Sequence, residues 1–121
     1  MLKGAFAGTV AILMFAATAH AKPVVYTWVG YGVNVPGSSK CPTYKMTINV
    51  TVDGNNVKGL FLQENRTQRH FETTLGKNGA IKTTAIVGGG NKMDVTGQIK
   101  DGDSKIKLDG YCKFEGPLTR K

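Results

Sequence analysis

The stretch Thr43-Tyr44-Lys45-Met46-Thr47-Ile48-Asn49-Val50-Thr51-Val52 alternates in character without a break. Tyr44, Met46, Ile48, Val50 and Val52 fall on one side of an extended chain. Thr43, Lys45, Thr47, Asn49 and Thr51 fall on the other, because successive side chains on a strand point to opposite faces. Such a segment is a half-buried antiparallel strand, with Ile48 inside and Thr47 outside. The same period returns in Ile81, Thr83, Ala85, Val87, in Met93, Val95, Gly97, Ile99, and in Ile106, Leu108, Gly110. No longer window shows the spacing of an amphipathic helix.

Turn residues punctuate these runs about every twelve residues: Asp53-Gly54-Asn55-Asn56, Glu64-Asn65-Arg66, Lys77-Asn78-Gly79, Gly88-Gly89-Gly90-Asn91 and Asp101-Gly102-Asp103. Asn-Gly and Asp-Gly pairs supply the positive φ that tight hairpins require. Strands are therefore expected near 24–31, 43–52, 57–63, 68–74, 80–87, 92–99 and 104–114, the last divisible at Asp109-Gly110. No room remains for a crossover helix, so strands adjacent in sequence should be adjacent in space. The fold expected is all-β: a small closed antiparallel up-and-down barrel of 7–8 strands, since closure removes exposed edges. The irregular segment Gly32–Pro42 would lie over one mouth.

Residues 1–21 read as a secretory signal peptide. Lys3 supplies a positive start, Ala5–Ala17 an apolar run, and Ala19-His20-Ala21 a small-x-small cleavage site. The mature chain would begin at Lys22 as a single domain, 22–121, in the periplasm or the medium. Of the sixteen basic residues only Lys3 lies in the leader, and all eight acidic residues lie beyond it, which leaves a net charge of +7. Anionic envelope components and acidic proteins are the partners that charge favours. Twelve of the fifteen remaining cations are lysines scattered along the strands, whereas nucleic-acid surfaces concentrate arginine, so no nucleic-acid role is expected. A monomer is expected. Cys41 and Cys112 survive processing and should form one disulfide in an oxidising compartment.

Catalytic parts are sparse. Ser38 or Ser39 would have to meet His70 and Glu64 or Glu72, with no nucleophile elbow to organise them. A hydrolase using His70 with one of those carboxylates is the weakest of three functional readings. Asp101-Gly102-Asp103 lacks the register of a calcium loop, and Gly88-Gly89-Gly90 lacks the ending of a phosphate cradle. Neither a cofactor nor a metal is expected. The densest polar feature is Gln63–His70, where Arg66, Arg69 and His70 offer directional donors. With Ser38 and Ser39 of the long loop they form the expected partner-binding surface of a non-enzymatic binding protein. The alternative is a carrier holding a small apolar ligand inside the barrel near Trp28, Tyr44 and Phe61, in space left by Gly59, Ala85 and Gly97.

Trp28, Cys41, the valine-turn-valine segment Val52–Gly59, Gly97, Gly110-Tyr111-Cys112 and Thr119-Arg120 follow one another in an order that resembles small exported bacterial β proteins. Those have one Trp near the start and a Cys near each end. The resemblance covers most of the chain after residue 21, implies a single-domain β fold, and assigns no catalytic residue. Lipocalins and avidins are similar in placing a Trp on the first strand after a glycine, but Thr27 stands in that place here. Exported protease and lysozyme inhibitors are similar in size and disulfide use, without the close cysteine pair of the protease inhibitors.

Overall fold

The computed structural model describes residues 22–121; the leader and its cleavage site at Ala19-His20-Ala21 lie outside the described residues. Nine strands follow in order: β1 (Val24–Tyr31), β2 (Lys45–Asp53), β3 (Asn56–Gln63), β4 (Arg69–Thr74), β5 (Ala80–Ile86), β6 (Lys92–Gln98), β7 (Lys105–Asp109), β8 (Lys113–Pro117) and β9 (Thr119–Arg120). Among the described residues the only helical turns are three short 3₁₀ segments. Cys41–Thr43 is one of these, so the second strand starts at Lys45 rather than at Thr43.

The alternation in β2 sets its register. Met46, Ile48 and Val50 are buried, while Thr47, Asn49 and Thr51 are half-buried on the outer face. Thr47 was expected to be exposed; it is half-covered because it lies in register between Val29 of β1 and Leu62 of β3. Turn chemistry holds where the sequence placed it. Gly54 at φ 64° closes the two-residue hairpin between Asp53 and Asn56, and Asn65, Asn78, Gly89 and Gly102 take positive φ in the other turns. The segment 104–114 divides as its Asp109-Gly110 allows, Asp109 pairing with Lys113 across a three-residue turn.

The strands do not close into a barrel, contrary to the sequence expectation. They form two antiparallel sheets, one in the order β4-β3-β2-β1-β9 and the other β5-β6-β7-β8. The first ladder ends at β4, and the chain passes to β5 of the other sheet through a tight connection in which Leu75 N–H donates to Asn55 O and Gly76 N–H to Ala80 O. The other seam is nearly closed. Val33 bridges to Lys113, Leu118 N–H donates to Ser104 O after Pro117, and β9 crosses to pair with β1. The Trp28 indole spans that junction, packed over Gly116 of β8 and beside Gly30 of its own strand.

Both inner faces fill a common core. Met46, Ile48, Val50, Phe61 and Phe71 come from the first sheet, and Ile81, Val95, Ile106, Leu108 and Phe114 from the second. Each fully buried Leu, Ile or Phe contributes about 1.5–3 kcal/mol of transfer free energy. The disulfide Cys41–Cys112 joins the β1–β2 loop of one sheet to the β7–β8 turn of the other, its Cα atoms 5.6 Å apart. Among the described residues no helix is long and apolar enough to cross a membrane.

Candidate functional site

Antiparallel order sends four chain reversals to the disulfide end of the molecule. They are the Gly32–Tyr44 loop, the Glu64–Gln68 turn, the Val87–Asn91 turn and the Gly110–Cys112 turn. The long loop and the polar turn expected to bind a partner are thus brought together: Glu64 N–H donates to Lys45 O, and Gly32 N–H donates to Tyr44 O.

Their side chains do not converge as expected. Arg69 pairs with Phe61 in register and so points to the inner side, where its guanidinium reaches the Gly88 turn. His70, the next residue, stands exposed on the outer face opposite Leu60, with Glu72 two residues on. Arg66 is exposed in the turn. Three donors close in sequence therefore serve three directions, because alternation separates Arg69 from His70. Ser38 is buried rather than presented: its hydroxyl donates to Cys41 Sγ at 3.2 Å, and its N–H donates to Val35 O. Ser39 is exposed. Ser104 is buried as well and is bonded to both backbone groups of Lys100.

Trp28, Tyr44 and Phe61 all belong to the core: Phe61 is buried, and the other two are partly buried against it. The small inward residues do not pool into a shared space. The Phe71 ring covers Gly59, the Lys105 carbonyl and Ile106 crowd Gly97, and Ala85 is packed in the core. An open groove of about 620 Å³ lies elsewhere, on the outer face of the second sheet, lined by Thr96, Gln98, Lys105, Lys107, Glu115 and Pro117 among others. Lys107 and Glu115 face each other across it in register. Among the described residues no cluster of His, Cys, Asp and Glu has the arrangement of a metal site.

What the sequence reading missed is a set of exposed apolar side chains. Val29, Tyr31, Leu60, Leu62, Ile86 and Tyr111 are all exposed, Tyr111 by 76% and Tyr31 by 56%. Tyr31 ends β1, Ile86 ends β5, Leu62 is one residue from the end of β3, and Tyr111 forms the β7–β8 turn beside the disulfide. All four lie at the disulfide end, and Val29 lies just behind Tyr31 in the row Val29–Thr47–Leu62. Beneath Leu60, Asn49 Oδ1 is buried on the same outer face with no hydrogen-bond partner.

The chain matches no family model, no curated protein and no solved structure. Any functional reading therefore rests on these residues.

The signal that would have found the apolar set is the run Leu60-Phe61-Leu62. Three consecutive apolar residues on a strand must put at least one on each face. With Phe61 inside, both leucines face out.

Proposed function

We propose that this chain is an exported, non-enzymatic binding protein that works as a monomer and engages its partner with the disulfide end. The observation that carries the reading is that exposed Tyr31, Leu62, Ile86 and Tyr111 all stand at this one end, spread around its rim; a small monomeric domain gains nothing in stability by exposing them. Basic side chains surround them: Lys40, Lys45, Arg66 and Lys92. An anionic envelope component or an acidic protein fits that mixture of tyrosine, aliphatic carbon and positive charge. Arg66 and Ser39 are exposed at this end, while Arg69 and Ser38 turn inward behind it. The disulfide suits an oxidising compartment, in keeping with the leader read at residues 1–21.

The test is a comparative pull-down from cell-envelope extract. Wild-type protein and a Tyr31→Ser/Tyr111→Ser variant of unchanged melting temperature would be immobilised side by side. The variant should lose what the wild type retains. Equal retention by both would place the binding surface elsewhere.

A further inference from the structure

Resting on that reading of the disulfide end, we infer that the end docks onto an anionic lipid surface. Every strand that leaves this end opens on a cation: Lys45 in β2, Arg69 in β4, Lys92 in β6 and Lys113 in β8. Of the four long strands that arrive there, β1 ends on exposed Tyr31, β5 on exposed Ile86, and β3 one residue past exposed Leu62; β7 runs into the turn that presents Tyr111. Antiparallel pairing therefore sets apolar and basic residues side by side around one rim, as in Tyr31 opposite Lys45 and Ile86 opposite Lys92.

The opposite end makes the comparison. Its turns and strand ends also hold cations, Lys22, Lys77, Lys100, Lys105, Arg120 and Lys121, with Asp53, Asp101 and Asp103 among them. Yet none of the exposed large apolar side chains stands there among the described residues. Charge alone would let the molecule approach an anionic surface by either end. Only the disulfide end adds apolar groups that can leave water, and stable interfacial attachment takes two such signals together. Tyrosine is the side chain suited to that boundary, with a ring that buries and a hydroxyl that stays wet.

The apolar groups also come from both sheets and from a turn, separated by lysines. A protein-binding patch would usually gather them into one dry centre with a polar rim. Glu64, Asp94 and Asp109 face the same end. They are fewer than the outward-facing cations Lys40, Lys45, Arg66, Lys92 and Lys113, so the local balance remains positive.

Vesicle flotation of the oxidised protein tests this. The wild type should float with phosphatidylglycerol-containing vesicles and stay behind with pure phosphatidylcholine. Lys45→Gln/Lys92→Gln should weaken partitioning by about thirtyfold, from the usual contribution of each basic residue at an anionic surface. Tyr31→Ser/Tyr111→Ser should weaken it by about tenfold or more. Lys77→Gln/Lys100→Gln, at the other end, should change it by less than about threefold if the attachment is oriented. Thermal melts of all three variants establish that they are folded. Failure of the wild type to float, or an equal loss from the Lys77/Lys100 pair, overturns the proposal. If flotation fails while the pull-down still depends on Tyr31 and Tyr111, the lipid assignment falls and the binding surface stands. If both fail, the binding reading falls with it.

Discussion

Gly59 is the position where one methyl group should be felt most sharply. It pairs directly with Phe71 across β3 and β4, and a Cβ there would overlap three atoms of the Phe71 ring. Its φ is not left-handed, so glycine serves this site by its smallness rather than by its backbone freedom. The ring has little room to retreat, since Phe71 is only 2% exposed and lies tilted against Phe61 at a centroid distance of 6.3 Å. Overpacking of this kind costs about 1–3 kcal/mol, against which the stiffer unfolded chain returns about 0.4–1 kcal/mol. Gly59→Ala should therefore lower stability by about 1–2 kcal/mol, which for a domain of this size moves the melting temperature by several degrees. Replacing the ring should remove the penalty. In a Phe71→Leu background the same alanine should be neutral or stabilising, a coupling of at least about 1 kcal/mol in a double-mutant cycle. Urea denaturation of the four proteins, followed by far-ultraviolet circular dichroism, measures it. An alanine variant as stable as wild type, or an equal loss in both backgrounds, would refute the claim that Phe71 occupies the space of the absent side chain.

Cys112→Ala should cost about 2–5 kcal/mol, since the bond closes a loop over a sequence separation of 71 residues. Two free thiols in purified, alkylated, non-reduced protein would remove the basis for that figure. Ile48→Asp should prevent folding, because it buries an unpaired carboxylate at a fully enclosed site, whereas Thr47→Asp should cost about 1 kcal/mol. Soluble yield and thermal melts compare the two, and equal effects would mean that the register of β2 is wrong.

The regular part of the fold was legible because two local signals agreed. Alternation in 43–52 placed Met46, Ile48 and Val50 inside, and the Gly- and Asn-bearing turns fell between the strands. Closure was not legible, since it depends on particular backbone groups. Leu75 and Gly76 spend their N–H groups within the first seam, and β9 contributes only Thr119 and Arg120 to the second. The candidate site was half legible. Its location at the long loop and the 64–68 turn follows from topology, but treating Arg66, Arg69 and His70 as one cluster ignored the alternation that parts the last two. The exposed tyrosines went unread because a strand-end Tyr looks, in sequence, like ordinary core, and the leucines because the two-faced run Leu60-Phe61-Leu62 reads as one buried strand segment.

The division into two sheets bears on the order in which the chain assembles. Each sheet holds one meander whose ladders join consecutive strands, β1 to β4 and then β5 to β8, and only β9 returns to pair with a distant partner. Short loops cost little entropy to close, so each meander can organise from contacts within its own half of the chain. The halves are joined by the core that both sheets fill and by three further ties, the Cys41–Cys112 bond, the Val33–Lys113 bridge and the two-residue β9. All three ties span the long way around the sequence, and the first two lie at the end that carries the exposed tyrosines. Oxidation of the thiols therefore adds a covalent tie between halves that already share a core, and places it beside the rim on which Tyr31 and Tyr111 stand. The rim of a reduced chain should therefore be held less firmly than that of the oxidised one.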